Sequence, residues 1–271
     1  MLPLVFIDVD GTLVGSAGVP SEATWRAADR ARARGQHLAV ATARVALGPT
    51  WGWAQRLDPD GWHLFHNGMS LIHTGTGEIR HTPLPEAAVP ELAADATERG
   101  WVLEIYTDHE LAVDSDAPLA VDHAALLGIA HRRRRLDELD GTVVRAQLVV
   151  PIADAAAARA CAPPATMGYS ATSPAMPGAA FVSFTAAGTT KVSGIIALAG
   201  LAGVDLAHVA MVGDGNNDAE ALRAVGHGIA MGNAEPETRA AARHWVADVD
   251  ADGLVEALDL TGTEEPSLST G

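Results

Sequence analysis

The amino-acid sequence predicts an α/β fold in which a doubly wound parallel sheet carries a second, inserted α+β domain. Strand and helix patterns alternate from the first residues, and the same alternation returns after about residue 182. Such alternation predicts a parallel sheet, because each crossover helix brings the chain back to the same end of the sheet. Between these parts the pattern changes to proline-interrupted helices and short strands. We therefore predict a core domain formed by residues 1–81 and 182–260, and an inserted domain formed by residues 82–181.

The first half of the core reads as a strand, a helix and a second strand. The apolar run Leu4–Val9 predicts the first strand, and His37–Ala41 the second. Between them a helix is expected from about Ser21 to Arg34. Ser21 is a suitable N-cap, and Gly35 is a suitable helix stop.

The second half of the core repeats this style. The predicted elements are, in order, helix Thr190–Ala202, strand His208–Val212, helix Asn217–Val225, strand Gly228–Met231 and helix Pro236–Arg243. The last residues, 261–271, are polar and have no apolar periodicity. They are expected to form a disordered tail.

The intervening segment has helices interrupted by proline, as in "PLPEAAVPELAADATERG", and short strands such as "WVLEIYT" and "VVRAQLVV". It ends in a stretch rich in Pro, Gly, Ser and Ala. An inserted α+β domain explains these proline-interrupted helices and short strands better than a continued βαβ series does. Its hinges are expected near Thr82–Pro83 and Ala180–Val182.

Composition narrows the range of partners and ligands. The net charge is −16, from 18 basic and 34 acidic residues, which disfavours nucleic acid and anionic membranes as partners. The basic block "HRRRR" at residues 131–135 is expected to be a solvated face. No apolar run approaches the ~20 residues of a membrane span, and the start lacks signal-peptide features, so we expect a cytoplasmic protein. A single cysteine, Cys161, means that a bound metal would need oxygen or histidine ligands.

Two aspartates stand two residues apart at the end of the first strand, in "VFIDVDGTLV". Because strand side chains alternate, Asp8 and Asp10 would project to the same side. Two such charges at about 5 Å repel by roughly 3 kcal/mol at an effective dielectric of about 20. A bound cation, a proton on one carboxyl or exposure to bulk water could offset this repulsion. A solvated Asp-rich turn is the alternative to a functional pair.

A second acidic cluster follows the strand in "VAMVGDGNNDAEAL". If the two strands are neighbours in a parallel sheet, Asp214 converges with Asp8 and Asp10, with Asn217 and Asp218 close behind. Hard oxygen donors of this kind suit Mg²⁺, which keeps several waters and binds phosphate oxygens. Asp218 could alternatively serve as an N-terminal charge of the following helix.

Two further side chains would suit a phosphate. Thr42 ends a buried-looking strand in "HLAVATAR", with Arg44 two residues on. Lys191 stands near a helix start, where the helix dipole disfavours a cation unless an anion is nearby. Each could also have an ordinary structural role.

In combination, "DVDGTL", "ATAR", "GTTKVSGI" and "GDGNND" resemble the four motifs of the haloacid dehalogenase (HAD) superfamily of phosphohydrolases. The insertion between the second and third motifs resembles the C2B cap of the Cof-type sugar-phosphate phosphatases. The segment "FHNGMSLIHTGTGEI" is similar to the family's Asn-Gly segment and hairpin. The fold implied is a Rossmann-like HAD core with a C2-type cap.

The resemblance implies Asp8 as nucleophile and Asp10 as general acid and base, with Thr42 and Lys191 as phosphate ligands. It implies Mg²⁺ held by Asp8, the Asp10 carbonyl and Asp214, with Asp218 close to the metal directly or through water. The expected substrate-binding residues are Thr42, Ala43, Arg44, Asn67, Lys191 and Asn217. Ala43 stands where Cof-type members usually have glycine.

These features predict a Mg²⁺-dependent phosphatase that acts on a small phosphorylated metabolite, most simply a sugar or polyol phosphate. The reaction would pass through an aspartyl-phosphate. A phosphomutase on the same fold and a non-catalytic phosphometabolite-binding protein remain alternatives.

Overall fold

A computed structural model describes residues 1–173 and 176–263 of the chain, and these residues form two compact units. The first unit contains residues 1–43, 53–79 and the described residues from 190 onwards. The second contains residues 44–52 and 80–189.

The helices and strands follow one another in the order that an α/β chain with an insertion requires. The strands are β1 Leu4–Ile7, β2 His37–Val40, β3 Trp62–Phe65, β4 Ser70–His73, β5 Ile79–His81, β6 Val102–Tyr106, β7 Leu111–Val113, β8 Arg145–Pro151, β9 Thr166–Ala171, β10 Ala179–Ala186, β11 Val209–Gly213, β12 His227–Ala230 and β13 His244–Trp245. The helices are α1 Glu22–Ala33, α2 Gly48–Leu57, α3 Ala88–Arg99, α4 Pro118–Leu126, α5 Ala155–Ala160, α6 Lys191–Ala202, α7 Ala219–Ala224, α8 Pro236–Ala241 and α9 Gly253–Gly262.

The first unit is built on a five-stranded parallel sheet with the strand order β13-β12-β11-β1-β2. Strand β1 lies between β11 and the edge strand β2. Ile7 lies beside Val212 of β11 and Val40 of β2, so the three strands end at the same level. The predicted α/β fold is confirmed, and the loops after these strands meet at one edge of the sheet.

Helices cover both faces of this sheet. Leu4 and Phe6 of β1 belong to a buried apolar cluster that includes Leu198 of α6 and Leu222 of α7. The intervening β1 residues point to the other face because strand side chains alternate. On that face α1 and α9 pack against each other and against β2 and β11. The doubly wound arrangement therefore buries β1 between two layers of helices.

The first helix begins and ends as the sequence predicts. The Ser21 side chain accepts a hydrogen bond from the Thr24 amide at 3.0 Å, which caps α1. Gly35 adopts a φ of +87° directly after the helix, a conformation that glycine adopts without strain. The capping pattern alone therefore fixes both ends of α1.

A buried histidine joins β2 to the loop before β3. His63 Nδ1 accepts from the Val40 amide at 3.2 Å, so Nε2 carries the proton and donates to the Asp58 carbonyl at 2.9 Å. Burial lowers the pKa of His63 from 6.5 to about 4, against the opposing effect of Asp58. The fold therefore holds this imidazole neutral.

This histidine should make the stability of the protein fall on mild acidification. Because the folded-state pKa lies below the ordinary value, the unfolded chain binds more protons between about pH 4 and pH 6.5. The stabilisation is fully present above pH 6.5 and is lost as the pH falls. A shift of this size removes about 2 kcal/mol between pH 7 and pH 5.

The measurement is urea unfolding at both pH values for the wild type, His63→Gln and a control, His208→Gln, which alters an exposed histidine. The His63 variant should show a smaller pH-dependent loss than the wild type, whereas the control should match it. An unchanged pH dependence in the His63 variant would contradict the assignment.

The second unit is built on an antiparallel sheet with the order β7-β6-β8-β10-β9. Its strand β10 pairs with β8 from Ala179 to Phe184 and with β9 as far as Ala186. The predicted boundary at residue 182 is therefore displaced to 189/190, because this one strand continues in the sheet beyond it. The entry boundary lies at 79/80 instead of 81/82.

Residues 44–52 also belong to the second unit, which the sequence analysis did not predict. The Ala46 carbonyl lies 3.3 Å from His109 Nδ1, and the Trp51 ring meets the His109 ring edge-on at 5.4 Å. These contacts join residues that are far apart in the chain, so no local sequence pattern could predict them.

A buried carboxylate organises part of the second unit. Glu104 accepts hydrogen bonds from the Tyr106 hydroxyl at 2.6 Å and from the Gln147 amide at 3.0 Å. Its other oxygen lies 2.7 Å from His123 Nδ1 on α4. Ser183 in turn donates to the Gln147 side chain at 2.8 Å. The polar group is thereby satisfied within the unit, as burial requires.

The basic block at residues 131–135 carries acidic neighbours. Arg133 lies 2.7 Å from Asp114, and Arg135 lies 2.6 Å from Asp137, all with largely exposed side chains. This agrees with the expected solvated face.

The end of the chain is ordered slightly further than predicted. Thr261 is buried in α9 and its carbonyl accepts a hydrogen bond from the Gln36 side chain, so the expected tail does not begin at 261. Residues 264–271 lie outside the described residues. Among the helices of the described chain, none combines the length and apolarity that crossing a membrane demands.

Candidate active site

Asp8 stands directly after β1, at the edge of the sheet where the loops after β1, β2 and β11 meet. Its amide donates to the Val212 carbonyl of β11 at 2.9 Å, which fixes the backbone there. The side chain is buried, and one of its oxygens lies 2.7 Å from Lys191 Nζ. The pair formed by Asp8 and Asp10 is asymmetric, because Asp10 is exposed.

Lys191 is the first residue of α6 and the only lysine of the chain. Its ammonium is buried between Asp8 and Asp218, with the second contact at 2.5 Å. Burial alone would lower the pKa of this lysine, but the two carboxylates outweigh it and raise the pKa above its ordinary value. The anion that its unfavourable helix position predicts is thus supplied by two aspartates.

The loop after β11 brings the second acidic cluster to the same place. The Thr12 hydroxyl donates to Asp214 Oδ1 at 2.8 Å, which ties this loop to the one after β1. Asp218 is fully buried, and its Oδ2 accepts the amides of Asp214 and Gly215 at 3.1 Å. Asp214 and Asp218 therefore lie close to Asp8, because β11 and β1 are neighbours, whereas the predicted third partner, Asp10, is not in this group of close carboxylates.

The donor set fits a divalent cation. One oxygen from each of Asp8, Asp214 and Asp218 lies within 4.8 Å of the others. Burial, reinforced by Asp218, raises the pKa of Asp8 well above its ordinary range. Burial likewise raises the pKa of Asp214 to about 7. Three carboxylates lie close together and only two of them contact the Lys191 ammonium, so a hard dication would balance the remaining charge.

A glycine allows the two loops to approach this closely. Gly11 has a φ of +83°, and a Cβ built there would lie 2.1 Å from Asp214 Oδ2. No larger residue fits at this position without moving the carboxylate. The glycine that follows Asp10 therefore serves close packing as well as the turn.

Two of the expected phosphate-site residues are joined through the backbone. Thr42 follows β2; it is buried, and its amide donates to the Leu64 carbonyl at 3.0 Å. Its own carbonyl accepts the Asn67 amide at 2.8 Å. Asn67 adopts a φ of +55°, and its Oδ1 lies 3.4 Å from the side-chain Nδ2 of Asn217, which donates to it. The Asn-Gly segment is thus held to the end of β2.

The unit boundary falls between two other expected substrate-binding residues. Ala43 closes a segment of the first unit, and Arg44 opens a segment of the second. Arg44 Nη1 lies 3.5 Å from the Thr50 hydroxyl within that unit.

Two side chains that contact Asp214, those of Thr12 and Asn233, were not among the predicted site residues. Asn233 Nδ2 lies 3.2 Å from Asp214 Oδ2. Its place after β12, a strand next to β11, was the available signal, because ligand sites of parallel sheets gather at the strands' carboxyl ends.

A family comparison agrees with this arrangement. The model of the haloacid dehalogenase-like hydrolases matches residues 5–258. The chain belongs to this family. Its relatives include a protein of Natronomonas pharaonis named phosphoglycolate phosphatase, 27% identical over 96% of this chain and 97% of that protein. The HMP-PP phosphatase of Cronobacter sakazakii is 28% identical over 90% of this chain and 89% of that protein.

Solved structures of haloacid dehalogenase-like hydrolases share the fold. One from Bacteroides thetaiotaomicron superposes with a TM-score of 0.85 at 24% identity, over 96% of this chain and 99% of the other. A HAD subclass IIB sugar phosphatase gives a TM-score of 0.80 at 24% identity, over 96% and 98% of the two chains. The enzyme is a phosphatase of the HAD superfamily with a Cof-type core.

Proposed function

We propose that this phosphatase hydrolyses a small phosphorylated metabolite by way of an aspartyl-phosphate on Asp8, with Mg²⁺ as cofactor. The observation that carries the proposal is the close approach of Asp8, Asp214 and Asp218, with the ammonium of Lys191 held between Asp8 and Asp218. A buried nucleophile, a fixed cation and a set of oxygen donors are the parts that phosphoryl transfer needs.

In the first step an Asp8 oxygen forms a bond to phosphorus while the bond from phosphorus to the leaving oxygen breaks. Asp10 gives its proton to that leaving oxygen. In the second step water attacks phosphorus, Asp10 takes the proton of this water, and the bond between Asp8 and phosphorus breaks. Inorganic phosphate leaves and both carboxylates return to their starting states.

Lys191 balances charge in both steps, because its ammonium stays beside Asp8 while negative charge moves onto the phosphoryl oxygens. Asp218 holds this ammonium in place. Mg²⁺, when bound, supplies further positive charge to the phosphoryl group. The residues that would hold it are Asp8, the Asp10 carbonyl and Asp214, with Asp218 in contact directly or through water.

The phosphoryl oxygens would be bound by side chains and amides of the loops after β2 and β3 and by two residues of the second half of the core. These are Thr42, Ala43, Arg44, Asn67, Lys191 and Asn217. We infer a sugar or polyol phosphate as substrate, since one structural neighbour is named a sugar phosphatase and two relatives are named for small phosphorylated metabolites.

The test is a phosphate-release screen over a broad panel of phosphorylated metabolites, with Mg²⁺ and with excess chelator. The expected result is Mg²⁺-dependent release from sugar or polyol monoesters without any bisphosphate activator. Turnover that requires a bisphosphate and yields an isomer would indicate a mutase. No turnover across the panel would favour a binding protein, and full activity in chelator would contradict the cofactor assignment.

A further inference from the structure

The loop that follows β12 reaches the acidic cluster through one side chain, that of Asn233. This residue is exposed, yet all of its amide hydrogen-bonding groups have partners. Nδ2 donates to the Gly11 carbonyl at 2.8 Å and to Asp214 Oδ2 at 3.2 Å. It therefore touches both loops that supply the carboxylates.

The orientation of this amide is set by a third partner. Asn233 Oδ1 accepts the Val249 amide at 3.0 Å. A backbone N–H can only donate, so the oxygen must face Val249 and the nitrogen must face Asp214. The side chain is fixed as a donor toward the carboxylate.

Asp214 is consequently held at both oxygens. Thr12 donates to Oδ1 at 2.8 Å, and Asn233 donates to Oδ2. Two opposed donors fix the plane of the carboxylate. Both donors are neutral, so they orient Asp214 without competing for its negative charge.

The loop that carries Asn233 has its own anchors. The Glu235 amide donates to the Asp214 carbonyl at 2.9 Å, and the Thr238 hydroxyl donates to the Gly215 carbonyl at 2.8 Å. These contacts do not involve the Asp214 carboxylate. Removing the Asn233 side chain should therefore leave the loop in place and free the carboxylate, the Gly11 turn and the Val249 amide.

We propose that Asn233 is a positioning residue that preorganises Asp214 and the Gly11 turn for the divalent cation. The inference rests on the proposed function, because it concerns the same cation site. Loss of such an outer partner typically weakens metal binding by about 10–100-fold. The reaction itself should change little once metal is saturating, because Asn233 contacts no residue that attacks or moves a proton.

The probe is Mn²⁺ alone, titrated into the full chain and followed by the loss of the free-ion EPR signal. Asn233→Ala should raise the Mn²⁺ dissociation constant by about 10–100-fold. The matched control is Thr238→Val. It removes the hydrogen bond to the Gly215 carbonyl in the loop after β11, but it removes none to the Asp214 carboxylate. It should bind Mn²⁺ as the wild type does. At saturating Mg²⁺, kcat of Asn233→Ala should stay near the wild-type value.

The outcomes separate the two proposals. If the wild type binds no Mn²⁺, the cation site and this inference both fail. If the wild type binds it and Asn233→Ala binds it equally well, only this inference fails. Equal weakening in Asn233→Ala and Thr238→Val would show a merely structural role and would also overturn it. Asn233→Ser, whose hydroxyl is too short for both acceptors, gives the same comparison if the alanine variant does not fold.

Discussion

Asp8→Asn is expected to reduce turnover to background and to leave no phosphoenzyme. The substitution removes the attacking oxygen and one of the three carboxylates of the cation site together. It also leaves Lys191 with Asp218 as its remaining charged partner. The measurement is steady-state phosphate release, combined with Mn²⁺ binding to report the loss at the cation site.

The matched control is Asp10→Asn, which changes the other member of the pair. Asp10 is exposed, and its side chain is not part of the group of close carboxylates found in the described chain. Metal binding should therefore persist, while each step loses proton transfer, a factor of about 10²–10⁴. The loss should be milder for aryl phosphates, whose leaving groups need little protonation. Loss of Mn²⁺ binding in Asp10→Asn comparable to that in Asp8→Asn would contradict this division of roles.

Lys191→Arg is expected to be nearly as damaging as Lys191→Met, although it keeps the charge. The ammonium fits between two carboxylates at 2.7 and 2.5 Å in a buried site, whereas guanidinium is a wide planar fork. Apart from Lys191, the chain uses arginine wherever it carries a permanently charged basic side chain, so a lysine at this position reflects a need for a compact cation. We expect each variant to lose at least about 10²–10³ in kcat, the usual cost of one electrostatic donor.

Lys191→Met should also destabilise the fold, because it leaves Asp8 and Asp218 without their shared counter-charge. Breaking a buried pair in this way typically costs about 3–5 kcal/mol. Urea unfolding in chelator should show this loss, and added Mg²⁺ should recover part of it. Arg243→Lys, at an exposed position, is the control and should change neither property. A Lys191→Arg variant with near wild-type kcat would contradict the account.

Local signals were enough to predict the elements that build the core. The Ser21 cap and Gly35 define α1, and the apolar runs define β1, β2 and β11. The domain boundary was predicted less well, because β10 is assigned by its pairing with β8 and β9. Strand pairing joins distant segments, and the apolar run "AAFVSFTAA" gives no sign of which sheet it joins.

The part of the site formed by residues directly after the strands of the parallel sheet could be predicted, because the loops at these strand ends meet at one edge of the sheet. Asp8 and Asp214 converge because β1 and β11 are neighbours. The sequence does not show which strands are neighbours, so the prediction had to assume this pairing. The position of Lys191 at a helix start predicted a nearby anion. Its two partners, Asp8 and Asp218, could not be predicted because tertiary contacts bring them to it. The contact of Asn233 with Asp214 was not predicted, because a lone asparagine next to a glycine in a turn usually makes only local hydrogen bonds.

The most direct test of the central claim, that Asp8 attacks phosphorus, is to locate the phosphoryl group on the chain. Asp10→Asn should slow breakdown of the aspartyl-phosphate, so this variant is mixed with an aryl phosphate and Mg²⁺ and quenched in acid within one turnover. Peptide mass spectrometry should then find one phosphoryl group on Asp8 and a matching burst of the phenol, both absent from Asp8→Asn. A phosphoryl group on another residue, or a phenol burst in Asp10→Asn no faster than in Asp8→Asn, would contradict the account.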